Sequence, residues 1–111
     1  MADPIDEATF DELADRTLHA LEVALNDIEG LEADLESGIL SIEFEDGSRF
    51  VVNSHRAARQ IWMAASARAW HFDADVKTGR WSATKTGEEL WACIQHEVEQ
   101  KLGRSIGLEP R

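Results

Sequence analysis

The fold of this chain is decided by the stretch from residue 38 to residue 53, GILSIEFEDGSRFVVN. From residue 40 to residue 44 every second residue is large and apolar, which is the period-two pattern of a strand with one buried face. Asp46 and Gly47 follow, and an Asp-Gly pair readily adopts the positive φ angles of a tight hairpin turn. Residues 49–53, RFVVN, then form the returning strand. The stretch therefore predicts an antiparallel hairpin.

An amphipathic helix is predicted before this hairpin, over roughly residues 7–29. Asp6 and Thr9 are its candidate N-caps, and Gly30 is its expected stop. A helix of this length cannot bury its own apolar stripe, so it must pack on the sheet. The stripe recurs at three- and four-residue intervals and consists of Phe10, Leu13, Ala14, Thr17, Leu21, Ala24, Leu25 and Ile28.

Short strands are predicted around residues 32–36, 70–72 and 80–82, whereas residues 58–64 fit a strand or a helix by propensity. A second helix is predicted after Thr86, its expected cap, with Glu89 in the capping-box position; it runs to about residue 102 and stops at Gly103. This order predicts an α+β fold over residues 1–111, a single domain. We expect a two-layer sandwich in which the N- and C-terminal helices pack on one face of an antiparallel sheet.

The composition limits the classes of partner. The net charge of −11 on 111 residues disfavours nucleic acids and anionic membranes, and it favours cations or a basic protein surface. The charge is segregated, because 15 of the 22 acids lie within residues 1–46, where Arg16 is the one base. The single cysteine excludes an internal disulfide. With no signal-like or transit-like start, the bacterial cytoplasm is the expected compartment.

The acids form a row along the first helix and into the first strand, which we call the acidic ridge. Its helical members are spaced i, i+4 and i+11 and point in nearly the same direction, interrupted by Leu18. Oxygen-only ligands suit ions such as Fe²⁺, Fe³⁺, Mn²⁺ or Ca²⁺. From the residues alone, a weak cation site and an ordinary solvated acidic face are equally good interpretations. The acidic ridge consists of Asp11, Asp15, Glu22, Asp27, Glu29, Glu32, Asp34 and Glu36.

Signals of catalysis are poor, since the histidines and Cys93 lack zinc-ligand spacing and no catalytic motif is recognisable. Cys93 is expected to be buried and inert. Trp62 is more informative. If residues 58–64 form a strand, Trp62 shares the open face with Gln60, where an indole indicates a contact anchor; the alternative places Trp62 in the core. Cationic side chains are expected nearby, from Arg49, Arg56, Arg59 and Arg68.

Several of these elements together resemble the central signature of bacterial frataxins. The resemblance covers about residues 8–102, and its most specific part is the spacing of Asn53, Gln60 and Trp62. Three departures are Arg68-Ala69 in place of Gly-Gly before the aromatic-His pair, Ala57 in place of proline, and Asp11 in place of a histidine. The matching elements are residues 38–48, 52–53, 60–64 and 71–72, with Trp81, Gly87 and Trp91.

The resemblance implies an α/β sandwich in which residues 58–64 are a strand. It implies weak, surface-bound Fe²⁺ or Fe³⁺ on the acidic ridge and docking on the cysteine desulfurase and scaffold protein that build iron–sulfur clusters. Asn53, Gln60 and Trp62 would face the partner, and no catalytic residue is implied. The expected state is a monomer without iron that self-associates with iron. Two alternatives stay open: a slow ferroxidase or iron-storage activity, and an acidic docking module that does not need iron.

Overall fold

The computed structural model describes residues 5–110, and it contains the predicted α+β sandwich. Six strands form one antiparallel sheet in chain order, and both helices pack on the same face of it. Residues 60–65 are a strand against their helical propensity, which confirms the strand that the resemblance implied for residues 58–64 except at Ala58 and Arg59, which belong to the preceding 3₁₀ turn and its cap. The elements are α1 (Glu7–Leu25), β1 (Leu31–Glu36), β2 (Ile39–Phe44), β3 (Arg49–His55), a 3₁₀ turn (Arg56–Ala58), β4 (Gln60–Ala65), β5 (Arg68–Asp75), β6 (Arg80–Ala83) and α2 (Leu90–Leu102).

α1 begins as predicted and ends early. The Asp6 carboxylate caps it by accepting a hydrogen bond from the Thr9 N–H at 2.7 Å. The helix ends at Leu25 because the next side chain turns toward β1: the Asn26 amide donates to the Ala33 carbonyl at 2.8 Å and accepts from the Ala33 N–H at 2.9 Å. The prediction that Gly30 is the helix stop is therefore wrong.

The start of α2 also differs from the prediction, whereas its end agrees. The cap is Glu89, whose carboxylate accepts a hydrogen bond from the Ala92 N–H at 3.2 Å. Thr86 does not cap the helix, because its hydroxyl accepts from the Glu88 N–H in the turn that precedes it. Gly103 closes the helix in the left-handed region at φ 72°. A glycine tolerates that conformation without the steric cost of a Cβ.

The core lies between the helices and the sheet and centres on Trp81, which is fully buried. Its indole N–H donates to the Thr17 hydroxyl at 3.0 Å, and Phe10 packs edge-on against its ring at 5.8 Å. Thr17 belongs to the predicted apolar stripe, and its hydroxyl accepts the hydrogen bond of the Trp81 indole. Leu18 is buried too, although the predicted apolar stripe left it out.

The turn between β4 and β5 is strained. It consists of two residues, and both lie in the left-handed region, Ser66 at φ 50° and Ala67 at φ 65°. A non-glycine residue in this region is sterically disfavoured by about 1 kcal/mol or more. The hairpin therefore keeps its short loop at a cost in stability.

Replacing Ala67 with glycine is expected to raise the free energy of unfolding by about 0.5–1 kcal/mol, because the relief of the Cβ clash outweighs the added flexibility of the unfolded chain. Equilibrium unfolding in urea measures the change. The control is Ala69→Gly, at a residue without a positive φ, which is expected to lower stability. Equal destabilisation by both variants would contradict strain at Ala67.

Candidate functional site

The sheet face that points away from the helices carries the predicted partner-facing residues. Asn53 lies opposite Trp62 across β3 and β4, so the two side chains are direct cross-strand neighbours. Gln60 lies two residues from Trp62 on the same face. Ile61 and Met63 alternate with them and are buried in the core. The structure thus confirms that Trp62 is on the open face and excludes its placement in the core.

Trp62 is held between two histidines. The His55 ring stacks on one side of the indole, with centroids 3.7 Å apart, and the His71 ring stacks on the other at 4.3 Å. The Trp62 indole N–H donates to the Gln60 side-chain oxygen at 2.9 Å, and the Gln60 amide in turn donates to the Asp73 carboxylate at 3.0 Å. The stack and this chain of bonds fix the orientation of the indole before any partner arrives.

Two members of this cluster, His55 and Asp73, were missed by the sequence analysis. The signal was present, because residues two apart on a strand share a face. His55 therefore follows Asn53 onto the open face, and Asp73 follows His71. Their placement beside Gln60 depends on the register between β3, β4 and β5, in which Gln60 lies opposite both.

The arginines predicted near Trp62 each pair with another group. These side chains are engaged elsewhere, and the groups that stack on the indole are histidines. The four arginines are instead placed as follows: Arg49 pairs with Glu43 at 3.1 Å, Arg56 with Asp11 at 2.8 Å and Arg59 with Glu7 at 3.8 Å, while Arg68 lies over the Trp70 ring at 4.6 Å. Two of these four arginines, Arg56 and Arg59, therefore offset acids of α1.

The helical half of the acidic ridge is already occupied by protein groups. Asp11 accepts two hydrogen bonds from Arg56, at 3.1 and 2.8 Å, and this pairing raises the pKa of the Arg56 guanidinium. The Glu22 carboxylate accepts from the Leu35 backbone N–H at 2.6 Å. Asp15 is exposed and lies 3.5 Å from His19. A groove of about 640 Å³ contains Asp11 and Asp15 but also the Arg56 cation, so it is not a purely acidic cleft.

The strand half of the ridge is more open. Glu32, Asp34 and Glu36 alternate along the edge strand β1 and are exposed. Glu32 lies directly opposite Glu43 of β2. Such oxygen donors fit a hard cation whose remaining ligands are waters. Within residues 5–110, however, no three His, Cys, Asp or Glu side chains are grouped closely enough to hold a metal. The ridge is therefore a spread of carboxylates and not a preformed metal centre.

Cys93 is buried, as predicted, with 1% of its surface exposed. Burial is the largest cause that raises the pKa of its thiol to about 12, and the nearby carboxylates of Glu88 and Glu97 act in the same direction. The thiolate is the reactive form, so at neutral pH this cysteine is inert.

Comparison with known proteins decides the family. Residues 3–104 match the family model of a frataxin-like domain. The chain belongs to the frataxin family. Two similar relatives, both named iron–sulfur cluster assembly protein CyaY, come from Pseudomonas fluorescens strain Pf0-1 and Pseudomonas putida strain W619. They are 33% and 34% identical to this chain, each over 95% of it and 96% of the relative.

Solved frataxin structures share the fold. Frataxin from Psychromonas ingrahamii superposes with a TM-score of 0.83 at 19% identity, over 92% of this chain and 96% of that one. Trimeric frataxin from the yeast Saccharomyces cerevisiae, in its ferrous complex, gives a TM-score of 0.64 at 22% identity, over 94% of this chain and 92% of that one. The resemblance to bacterial frataxins and the sandwich fold are thereby confirmed. Neither helix within residues 5–110 is long and apolar enough to cross a membrane.

Proposed function

We propose that this protein supports iron–sulfur cluster assembly in the bacterial cytoplasm by docking on the assembly machinery through the open face of its sheet. The observation that carries the proposal is the ordered indole of Trp62, held between His55 and His71 on a face that no element within residues 5–110 covers. The two Pseudomonas relatives support the proposal, because both are named iron–sulfur cluster assembly protein. That is the name of an assembly protein and not of an oxidase, so no ferroxidase activity is proposed.

In this proposal two surfaces of the protein contact two different partners. Asn53, Gln60 and Trp62 form the patch that contacts the scaffold protein, where a fixed aromatic anchor loses little conformational freedom on binding. The acidic ridge faces the cysteine desulfurase, and its charge selects a basic surface and speeds the encounter. The acids of β1 lie at the sheet edge, two strands from Asn53 on β3, so one partner complex can contact both surfaces.

In this proposal the acidic ridge binds iron weakly, as cargo. The acids of β1 receive it first, because Glu32, Asp34 and Glu36 are exposed on the strand edge. Asp11 and Glu22 bind later, since an ion must displace Arg56 from the former and the Leu35 N–H from the latter. The yeast relative is trimeric in its ferrous complex. For this chain, iron-linked self-association is a proposal that gel filtration with and without Fe²⁺ tests.

An anaerobic amide NMR titration with Fe²⁺ tests the order of binding. Broadening is expected first at residues 29–36 and at Glu43, and only at higher iron around Asp11. Removing one exposed carboxylate by Glu32→Gln is expected to weaken the apparent affinity about threefold, the size of one screened surface charge contact. Glu109→Gln, which removes an exposed carboxylate outside the ridge, is the matched control and is expected to leave the titration unchanged.

The same titration separates this proposal from the alternative of a docking module that needs no iron. That alternative is favoured by the absence, within residues 5–110, of any preformed group of metal ligands. If millimolar Fe²⁺ leaves the amides of residues 29–36 unperturbed, the iron-carrying role is wrong. The ridge then serves only to contact a basic partner.

A further inference from the structure

Within residues 5–110, the first residues of β5 have no neighbouring strand on the side where β6 pairs with the rest of β5. β5 is eight residues long, whereas β6 has four. Their pairing runs from Asp75 opposite Arg80 to Phe72 opposite Ala83, and one further bond joins the Thr84 N–H to the His71 carbonyl at 2.9 Å. Within residues 5–110, no strand lies beside residues 68–70 on this side.

The backbone at this edge is directed outward. The His71 carbonyl points toward the β6 side, because it accepts the bond from Thr84. In an antiparallel sheet, residues two apart direct their N–H and C=O groups to the same side. The N–H and C=O of Ala69 therefore point into the space beyond β6. An outward donor and acceptor on one residue form a template for another extended chain.

A cavity of about 320 Å³ lies against this edge, and we call it the β5 notch. Its lining contains two cations and two aromatic rings, and none of its lining residues is acidic, although the chain carries a net charge of −11. The lining residues are Arg68, Ala69, Trp70, His71, Ala83, Thr84, Lys85 and Thr86.

The Arg68 cation is held in position at the notch. Its guanidinium lies over the Trp70 ring at 4.6 Å and 3.8 Å from the carboxylate of Glu97, which is buried. The Arg68 side chain is nevertheless 60% exposed. A guanidinium has five N–H donors in a rigid fork, so donors are left for a second carboxylate. Lys85 adds a second exposed cation from the loop.

From this geometry we infer that the β5 notch binds an extended acidic peptide segment of a partner protein by strand addition. The segment pairs its backbone with the outward N–H and C=O of Ala69. Its side chains alternate between the two faces of the sheet. Carboxylates on one face reach Arg68, which stacks on the core-facing Trp70, and the side chains between them lie on the other face, beside His71. Lys85 attracts the segment electrostatically. This site adjoins the patch of Asn53, Gln60 and Trp62 at His71, which stacks on Trp62, but it uses the β5 edge and does not depend on iron.

The probe is the peptide acetyl-Glu-Val-Glu-Val-Glu-amide, titrated into the ¹⁵N-labelled full chain at low ionic strength. Amide shifts are expected at residues 68–71 and 83–86. Lys85→Glu is expected to weaken binding about fivefold, because it replaces one attraction by a repulsion. Lys77→Glu, in the turn at the other end of β5, changes the net charge equally and is expected to bind like the parent chain. Equal weakening by both variants would show a general charge effect and overturn the site.

Strand addition is tested separately from simple anion binding. The same peptide methylated on the backbone nitrogens of its valines cannot donate those bonds, and we expect it to produce no shift at Ala69. Sodium acetate at the same carboxylate concentration is also expected to leave Ala69 unperturbed. If either probe reproduces the shifts of the parent peptide, the notch is an anion site only and the inference is wrong. Shifts confined to other parts of the chain would overturn it as well.

Discussion

Replacing Trp62 with alanine is expected to weaken binding to the scaffold protein of cluster assembly by about thirtyfold or more. An aromatic anchor at the centre of an interface typically contributes 2 kcal/mol or more, about thirtyfold in affinity. Trp62 suits this role because His55 and His71 hold its ring and Gln60 accepts its N–H. The indole is thus ordered before binding, and little side-chain entropy is lost when the partner arrives.

Calorimetric titration of the scaffold protein in iron-free buffer measures this loss and removes any contribution of the metal. Val23→Ala is the control, because Val23 is an apolar side chain that is 57% exposed on α1, in the other layer. It is expected to bind within twofold of the parent chain. Urea unfolding of Trp62→Ala verifies that the variant is folded. If Trp62→Ala is folded and binds the scaffold protein as tightly as the parent chain does, the open face is not part of the interface.

The sequence predicted the central hairpin well, because its information is local. The alternation of residues 40–44 and the turn at Gly47 each depend on near neighbours alone. Residues 60–65 were harder, since alanine and methionine favour helix. They form a strand because Ile61 and Met63 fill the core between β3 and β5. Tertiary packing outweighed propensity here, and the family resemblance supplied what the local pattern lacked.

The candidate site could be predicted only in part, because its decisive contacts join distant residues. The i,i+4 spacing of Asp11 and Asp15 was visible, but the ion pair of Asp11 with Arg56 spans 45 residues of sequence. That pair makes the helical half of the acidic ridge less available to a cation than spacing alone indicates. In the same way, the two histidines that hold Trp62 meet only through strand register.

Replacing Trp81 with alanine is expected to lower the free energy of unfolding by about 4 kcal/mol, within the range for removing a large aromatic side chain from a core. Trp81 is fully buried and joins β6 to α1, where its ring contacts Phe10. No neighbouring element can close the space without giving up its own packing. Urea-induced unfolding, followed by circular dichroism, measures the change. A loss below about 1.5 kcal/mol would mean that the helix layer collapses into the cavity.

Thr17→Val separates the hydrogen bond from the packing and keeps the question testable if Trp81→Ala does not fold. Valine has nearly the shape of threonine but cannot accept the Trp81 N–H, which lies 3.0 Å from the hydroxyl. A buried donor without a partner costs about 1–3 kcal/mol. Thr17→Ser keeps the acceptor and loses one methyl group, at about 1 kcal/mol. If Thr17→Val lowers the free energy of unfolding less than Thr17→Ser does, Trp81 stabilises the fold by packing alone. If Thr17→Val lowers it more, the hydrogen bond between Trp81 and Thr17 holds α1 against β6.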